Sequence, residues 1–429
     1  MIAIETTALS RRRLLGAGLL GAGMMAAPRW ALAAPAPSFP AIEKMLTDYV
    51  DGGKLAGAVA SVGFGQAPPT FLARGRQSLD APTPIGADSL FRIYSMTKPI
   101  TGMAAMILVD EGKLRLDQPL SDILPKFKAM QVLKDAGGPL DQVEAAKTPI
   151  TIRNLLTHTA GLGYHIIQKG PIQQAYMAAG LVPAAATRLP IPGLSGGKVL
   201  PSLAAFADAL AAMPLVYQPG TKWSYSVGLD LMGRVIEVVS GMPFDRFVME
   251  RIVGPCGMGE TGFAVAPALK DRLTSNYGVL DGALLPLDPA RNSIFLDPPP
   301  YPFGGAGLVS SPRDYDRFLQ MLVGFGKLGT RRVMSESAVR MGTSNLLPAG
   351  VPGPDGSGFG AGGRVGLGES AGVYGWGGAA GTIAFADLKR GIRAGFYTQY
   401  MPSDAYPIHA AFPVAVRSDL AAMAGKLAA

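Results

Sequence analysis

The pattern of hydrophobic and polar positions predicts strands towards both ends of the chain and helices between them. Apolar runs bounded by Gly, Pro and Asp turns predict strands at 58–64, 70–74, 374–386 and 392–397. Apolar residues recur at helical spacing at 38–50, 203–213, 229–239 and 312–323, and a short helix is predicted at 419–427. We therefore expect one sheet assembled from the two ends of the chain, with a large helical insertion between them.

A strand-like apolar stretch from Leu90 runs into Ser95, and an apolar helical run follows through Leu108. Pro99 fits a helix that starts at or just before Ser95, because N–H groups of the first turn lack intrahelical partners. Ser95 and Lys98 would then share one face of that helix. A hydroxyl with an amine one turn along is the Ser-x-x-Lys arrangement of covalent hydrolases. The four-residue pattern is weak evidence by itself, since Ser and Lys are common.

The pattern loosens between Gly163 and Pro201, where prolines are frequent and charged residues are few. We predict a long loop or lid over this segment, because loops of that length inside a compact domain usually carry function. A second predicted loop at 293–311 has an apolar and aromatic middle.

The first 33 residues have the features of a twin-arginine export signal. Arg11–Arg13 precede a run of small apolar residues, and Ala31-Leu32-Ala33 supplies an A-x-A cleavage site. A membrane anchor is the alternative, but the run is short and glycine-rich for a spanning helix. We therefore expect cleavage before Ala34, a periplasmic or secreted protein, and no stable membrane anchor after cleavage.

Composition and charge narrow the classes of function. The chain has 429 residues, 48% hydrophobic and 16% charged, which is enough to bury a sizeable core. The segment before Ala34 carries four Arg and one Glu, so the net charge of +8 falls to +5 after cleavage. With no basic run in the rest of the chain, nucleic acid is not expected as a partner. Cys256 is the only cysteine, which excludes an internal disulfide.

Residues Gly193–Gly197 match the G-x-S-x-G nucleophile elbow of α/β-hydrolases, with Ser195 at the centre. That motif needs a strand before the serine and a helix after it. Pro190 and Pro192 precede it and two glycines follow, so both flanks are predicted to be loop. Only His409 lies downstream as a possible base, so a flexible lid loop is the favoured interpretation.

Five separated segments resemble one family in their order along the chain. They are Ser95-Met96-Thr97-Lys98, Leu155–Leu162, Pro219-Gly220 through Tyr225-Ser226-Val227, Gly304–Ser311 and Trp376-Gly377-Gly378. They resemble the serine β-lactamase and penicillin-binding-protein group, most closely the class C-like esterases known as family VIII carboxylesterases. The match spans almost the whole mature chain.

The resemblance implies an α/β, β-lactamase-like fold: a central antiparallel sheet flanked by helices, with a large all-helical insertion. The hydrolase domain would occupy 34–429, with the sheet drawn from about 55–100 and 290–429 and the insertion from about 105–290. The active site would lie in the groove between sheet and insertion.

The resemblance also implies the roles of the site residues. Ser95 would be the nucleophile, and Lys98 and Tyr225 would share the transfer of its proton. Which of the two residues is the general base stays open, since a coupled pair titrates as a pair. The backbone N–H groups of Ser95 and Ala379 would form the oxyanion hole.

Two departures from the β-lactamase pattern favour ester substrates. The β-lactamases have an Asn where this chain has Val227 and a Lys where it has Trp376. Neither Val nor Trp can hold the antibiotic's side-chain amide or its carboxylate. Trp376, Gly377, Gly378 and Val227 are accordingly expected to line the substrate site, the glycines by letting the strand approach closely.

The sequence thus predicts an exported serine hydrolase that cleaves carboxylic esters, with short acyl chains favoured and no cofactor. An acyltransferase using the same acyl-enzyme is an open alternative, as is a weak β-lactamase or D-amino-acid peptidase. A non-catalytic peptidoglycan-binding protein is a more distant alternative function. His158 and His165 fit no metal motif, and His158 is expected to bond backbone behind the groove. Trp223 is expected to be a core aromatic residue.

Overall fold

The computed structural model describes residues 38–182, 186–191 and 197–428. The predicted export segment and Ser195 lie outside these residues. From Phe39 onward the described residues form one compact unit.

Helices lie where the apolar spacing predicts them at 38–50, 203–213, 229–239 and 312–323, and several shorter helices occur that the spacing did not predict. The helices are α1 Pro40–Val50, α2 Thr97–Asp110, α3 Ile152–Leu156, α4 Pro171–Ala179, α5 Leu203–Ala211, α6 Gly228–Ser240, α7 Phe244–Val248, α8 Gly254–Cys256, α9 Pro312–Val323, α10 Glu336–Gly342 and α11 Ile408–Ala428. No helix of the described residues is both long enough and apolar enough to cross a bilayer.

The strands concentrate towards the two ends of the chain. They are β1 Gly57–Phe64, β2 Thr70–Ser78, β3 Ala81–Pro84, β4 Phe91–Arg92, β5 Gln131–Leu133, β6 Val143–Ala145, β7 Asn276–Leu280, β8 Ala283–Asp288, β9 Val309–Ser310, β10 Lys327–Leu328, β11 Arg331–Arg332, β12 Gly358–Phe359, β13 Arg364–Val365, β14 Val373–Gly377, β15 Ile383–Asp387, β16 Ile392–Tyr397 and β17 Tyr400–Met401.

The main sheet joins the two ends of the chain. Its strand order is β12-β13-β14-β15-β16-β1-β2-β3, and its neighbouring strands are antiparallel. β1 pairs with β16, with Val59 opposite Tyr397. Alternate residues of β1 face two cores: Ala58 and Ala60 pack with α1 and α11, whereas Val59 joins the larger core that contains α2, α6 and α9. The predicted β-lactamase-like fold class, an antiparallel sheet flanked by helices, is confirmed.

One detail of that prediction differs, because the insertion is not all-helical. It carries α3 to α8, but also the β5–β6 hairpin and the β7–β8 hairpin. The strands of the first hairpin are three residues long, too short to show a period of two. The second turns at Asp281-Gly282, where both residues have positive φ, and this Asp-Gly signal could have been read from sequence.

Three element boundaries also differ from the prediction. The strand expected at 374–386 is broken into β14 and β15 by a turn at 378–382. The predicted lid contains α4, which begins at Pro171 and is followed by Gly180 in the left-handed conformation typical of a helix C-terminus. The last helix begins at Ile408 rather than Asp419, and Pro413 lies inside it and obscures its pattern in the sequence.

Candidate active site

The backbone around Ser95 is held by buried contacts. β4 pairs with β9 just before the serine, and the Ile93 N–H donates to the Leu308 carbonyl at 3.1 Å. A single 3₁₀ turn at Tyr94–Met96 leads into α2, which is almost wholly buried. The α-helix proper therefore starts at Thr97, slightly later than the sequence predicts, while the one-turn spacing to Lys98 is kept.

A buried ion pair fixes the strand that leads into this turn. Arg92 Nε donates to Asp288 Oδ2 at 2.6 Å, and both side chains are fully buried. The same guanidinium donates to the Thr274 carbonyl at 2.6 Å and to Ser293 Oγ at 2.9 Å. Removing one partner of such a pair leaves an uncompensated buried charge, which is strongly destabilising. Arg92 thus anchors the segment three residues before Ser95.

Two proton-carrying groups converge on the Ser95 hydroxyl. Lys98 is fully buried, and its Nζ lies 3.2 Å from Ser95 Oγ and 2.6 Å from the Gly305 carbonyl oxygen. The Tyr225 hydroxyl lies 2.7 Å from the same Ser95 oxygen. Lys98 Nζ also sits 4.6 Å from the centre of the Tyr225 ring. The structure therefore brings together the three residues that the sequence named, from two distant segments.

The Trp376 indole forms a wall beside the Tyr225 phenol. Trp376 Nε1 lies 3.4 Å from the Tyr225 hydroxyl, and the two ring centres are 5.8 Å apart. Phe359 packs edge-on against the indole, with centres 5.2 Å apart. Because Trp376 is partly exposed, it presents a neutral aromatic surface next to the Tyr225 hydroxyl.

The end of β14 lies against the turn that carries Ser95. A methyl group at Gly378 would clash with the Ile93 carbonyl, so only glycine permits this approach. At Gly377 the corresponding space is occupied by the His409 ring. Ala379 is partly exposed, and its N–H has no acceptor among the residues that the structure describes.

Val227 does not line the groove, contrary to the sequence-based expectation. Its side chain is fully buried in the main core at the start of α6. Its N–H donates to the Gly163 carbonyl at 3.2 Å. Val227 is apolar because it faces the core, so it is a packing residue rather than a substrate contact.

Asp230 is a buried acid near Lys98 that sequence reasoning missed. Its Oδ1 accepts the Gly305 N–H at 2.8 Å, while the Gly305 carbonyl accepts from Lys98, so one residue links the two side chains. Its Oδ2 is buried and has no hydrogen-bond partner among the described residues. Burial raises the pKa of Asp230 to about 6, although the Lys98 charge and the Gly305 N–H oppose that shift. The sequence signal that could have revealed this residue is a single Asp on the apolar face of α6.

The remaining sequence candidates lie around the Tyr225 ring. His158 bonds backbone, as expected, through Nδ1 to the Ser226 N–H at 3.2 Å. Trp223 packs with its ring centre 6.3 Å from that of Tyr225, so it supports the aromatic cluster. His165 packs against Tyr164. No group of three or more His, Cys, Asp or Glu side chains among residues 38–182, 186–191 and 197–428 is placed to hold a metal ion.

Comparison with known proteins assigns this chain to a family. The chain matches the family described as Beta-lactamase over residues 42–416. Protein Rv1367c of Mycobacterium tuberculosis (strain ATCC 25618 / H37Rv) is 37% identical over 302 residues, covering 70% of this chain and 71% of that protein. Esterase EstB of Burkholderia gladioli is 34% identical over 284 residues, covering 63% of this chain and 66% of EstB. The solved structure of EstCE1, "a hydrolase with promiscuous acyltransferase activity", matches with a TM-score of 0.70 at 25% identity, covering 89% of this chain and 97% of that chain.

The family match spans most of the chain, and the family resemblance stated from sequence is confirmed. EstB and EstCE1 carry hydrolase descriptions, and their similarity extends over most of this chain. The chain therefore belongs to the Beta-lactamase family, in which it is a serine hydrolase related to carboxylesterases.

Proposed function

We propose that the protein hydrolyses carboxylic esters, with short acyl chains preferred, through an acyl-enzyme on Ser95. One observation carries the proposal: Lys98 Nζ and the Tyr225 hydroxyl both lie within hydrogen-bond distance of Ser95 Oγ. A serine hydroxyl is a weak nucleophile until an adjacent base takes its proton. Ser95 is only partly buried, so its oxygen can meet a substrate.

The proposed acylation begins as Ser95 Oγ attacks the ester carbonyl carbon and its proton passes to the Lys98–Tyr225 pair. The bond from the carbonyl carbon to the alcohol oxygen then breaks, and the pair returns the proton to the leaving alkoxide. Water attacks the acyl-enzyme in the second step and gives a proton to the same pair. The Ser95 oxygen leaves with that proton, which restores the starting state. General acid–base catalysis of this kind contributes about 10²- to 10⁴-fold in rate.

Backbone donors would hold the charge that develops on the carbonyl oxygen. The Ala379 N–H lies on the turn that follows β14, and that strand packs against the 3₁₀ turn of Ser95. With the Ser95 N–H it would form the oxyanion hole, where each donor is worth about 3 kcal/mol of transition-state stabilisation.

The aromatic wall supports esters rather than β-lactams as substrates. Trp376 gives a neutral surface where, by the resemblance, β-lactamases place a Lys that faces the antibiotic's carboxylate. The loss of one charge-assisted contact is worth about 1.5–3 kcal/mol, or roughly ten- to a hundredfold in catalytic efficiency. An ester also releases its alcohol and frees space for water, whereas an opened lactam ring stays attached to the acyl group.

An activity panel on the chain that starts at Ala34 tests this proposal. Wild type and Ser95→Ala are compared on p-nitrophenyl acetate, butyrate and octanoate beside a chromogenic cephalosporin. We expect p-nitrophenyl butyrate to be cleaved with a kcat/KM roughly ten- to a hundredfold above that for the cephalosporin, and Ser95→Ala to abolish both activities. Similar efficiencies on both substrates would contradict the ester assignment.

Acyl transfer is a second candidate, supported by the similarity to EstCE1, which is described as a hydrolase with promiscuous acyltransferase activity. An alcohol in place of water would attack the same acyl-enzyme and give a new ester. Product analysis after incubating a vinyl ester with 1-butanol separates the two outcomes. Butyl ester as the main product in dilute alcohol would favour a transferase, and free acid would favour a hydrolase.

We also propose export through the twin-arginine route, on the strength of Arg11–Arg13 and Ala31-Leu32-Ala33. Changing Arg11 and Arg12 to Lys should leave the protein in the cytoplasm with its N-terminal segment uncleaved. Continued appearance of a form that starts near Ala34 outside the cytoplasm would instead indicate the general secretory route.

A further inference from the structure

His158 lies directly behind the Tyr225 ring, and the proposed function gives it no task. Its side chain is buried, and the centre of its ring lies 4.7 Å from that of Tyr225. The two residues come from distant segments, so this contact is made by the fold rather than by the local chain.

His158 also bonds the backbone on both sides of Tyr225. The Ser224 N–H donates to the His158 carbonyl oxygen at 2.9 Å. The Ser226 N–H donates to His158 Nδ1 at 3.2 Å, and the Ser226 hydroxyl lies 3.0 Å from the same nitrogen. The backbone N–H groups of the residues on either side of Tyr225 are therefore both held by His158, which sets the direction in which the phenol leaves the backbone.

This arrangement requires a neutral His158 with its proton on Nε2. Nδ1 accepts a hydrogen bond from a backbone N–H and so cannot carry a proton itself. Burial and the nearby Lys98 charge lower the pKa of His158 well below its ordinary value, which keeps the ring neutral. Nε2 is buried without a hydrogen-bond partner among the described residues, and the edges of Phe359 and Trp223 pack around the ring.

We infer that His158 is a positioning residue for Tyr225, which it holds so that the phenol reaches Ser95 Oγ at 2.7 Å. The inference rests on the proposed function, in which Tyr225 helps to move the Ser95 proton. A displacement of the phenol by about 1 Å would be enough to cost roughly a hundredfold in rate.

The backbone of His158 suggests a matched pair of variants. Its φ is +57°, a left-handed conformation that Gly and Asn adopt more readily than other residues. His158→Gly removes the ring and the Nδ1 acceptor without strain at this φ. His158→Asn also suits this φ, and its side-chain oxygen can accept the Ser226 N–H from nearly the position of Nδ1.

We expect His158→Gly to lower kcat on p-nitrophenyl butyrate by about 30- to 100-fold with KM within about threefold of wild type. His158→Asn should recover at least about tenfold of that loss. The substitution His165→Asn is the control, because His165 is buried but accepts no hydrogen bond from the Ser224 or Ser226 N–H group. It should keep kcat within about threefold of wild type. Circular dichroism confirms that each variant is folded.

A double-mutant cycle with Tyr225→Phe separates positioning from general destabilisation. If His158 acts through the phenol oxygen, His158→Gly should cost less than about threefold in the Tyr225→Phe background. An equal loss of kcat in both backgrounds, or an Asn variant no more active than the Gly variant, would overturn the inference. Wild-type activity in Tyr225→Phe alone would instead refute the role of the phenol in the proposed mechanism, whereas loss of the ester preference in the substrate panel would refute the proposed function, so the failures are distinguishable.

Discussion

The Tyr225→Phe substitution isolates one oxygen atom of the proposed mechanism. Phenylalanine keeps the ring, and with it the contacts to Lys98 Nζ at 4.6 Å and to the His158 and Trp376 rings at 4.7 and 5.8 Å. It removes the hydroxyl that lies 2.7 Å from Ser95 Oγ. Among the residues that the structure describes, the one other bond lost is the 3.4 Å contact from Trp376 Nε1. The change therefore leaves the packing of the ring nearly intact and removes the hydroxyl that the proposed mechanism uses.

The expected magnitudes for rate and stability differ widely. Loss of a positioned proton-transfer group should lower kcat/KM by about 10²- to 10⁴-fold, which is roughly 3–5 kcal/mol of transition-state stabilisation. The free energy of unfolding should change by no more than about 2 kcal/mol, since at most two hydrogen bonds are lost. Initial rates on p-nitrophenyl butyrate and urea-induced unfolding give the two quantities from one preparation.

A matched tyrosine provides the control. Tyr164 packs with its ring centre 5.7 Å from that of Tyr225 and is buried, but its hydroxyl is not bonded to Ser95. Tyr164→Phe should keep kcat/KM within about threefold of wild type. A Tyr225→Phe enzyme that retains more than a tenth of wild-type kcat/KM would refute the role given to the phenol, as would an equal loss in Tyr164→Phe.

Two further predictions concern groups behind and beside the serine. Burial raises the pKa of Asp230 from 3.8 to about 6, so the folded state binds this proton more tightly than the unfolded state does. The stabilisation that results is present below pH 3.8 and is lost as pH rises through 6. Asp230→Asn, which cannot ionise, should gain roughly 1 kcal/mol of unfolding free energy relative to wild type between pH 5 and pH 8, measured by urea unfolding; a pH-independent difference would contradict this. Gly378→Ala should lower kcat by about a hundredfold, because the added methyl meets the Ile93 carbonyl and Thr382 Oγ1 and moves the Ala379 donor away from Ser95. An unchanged kcat would show that the turn does not supply a donor.

The parts of the fold and site that the sequence predicted are those with a local signal. The apolar run after Ser95 defines α2, and helical geometry then places Lys98 next to the serine. Tyr225 has no local link to Ser95, so only the order of the family motifs pointed to it. The strand patterns at both ends predicted one shared sheet, which the pairing of β1 with β16 confirms, whereas the three-residue strands β5 and β6 carried too little pattern to detect.

The parts that the sequence did not predict depend on tertiary packing. Val227 occupies a motif position that suggested substrate contact, but the start of α6 turns its side chain into the core. Asp230 acts through its bond to the Gly305 N–H, and His158 acts through its bonds to the backbone beside Tyr225. Both contacts form only in the folded chain. A single sequence does not reveal such contacts, because they join residues at no fixed spacing.

The most direct measurement for the central claim is the site of covalent labelling by a fluorophosphonate probe. The account predicts one adduct per chain, mapped by peptide mass spectrometry to Ser95, and no labelling of Ser95→Ala. An adduct on Ser195, or labelling that persists at the wild-type rate in Ser95→Ala, would contradict the assignment of Ser95 as the nucleophile.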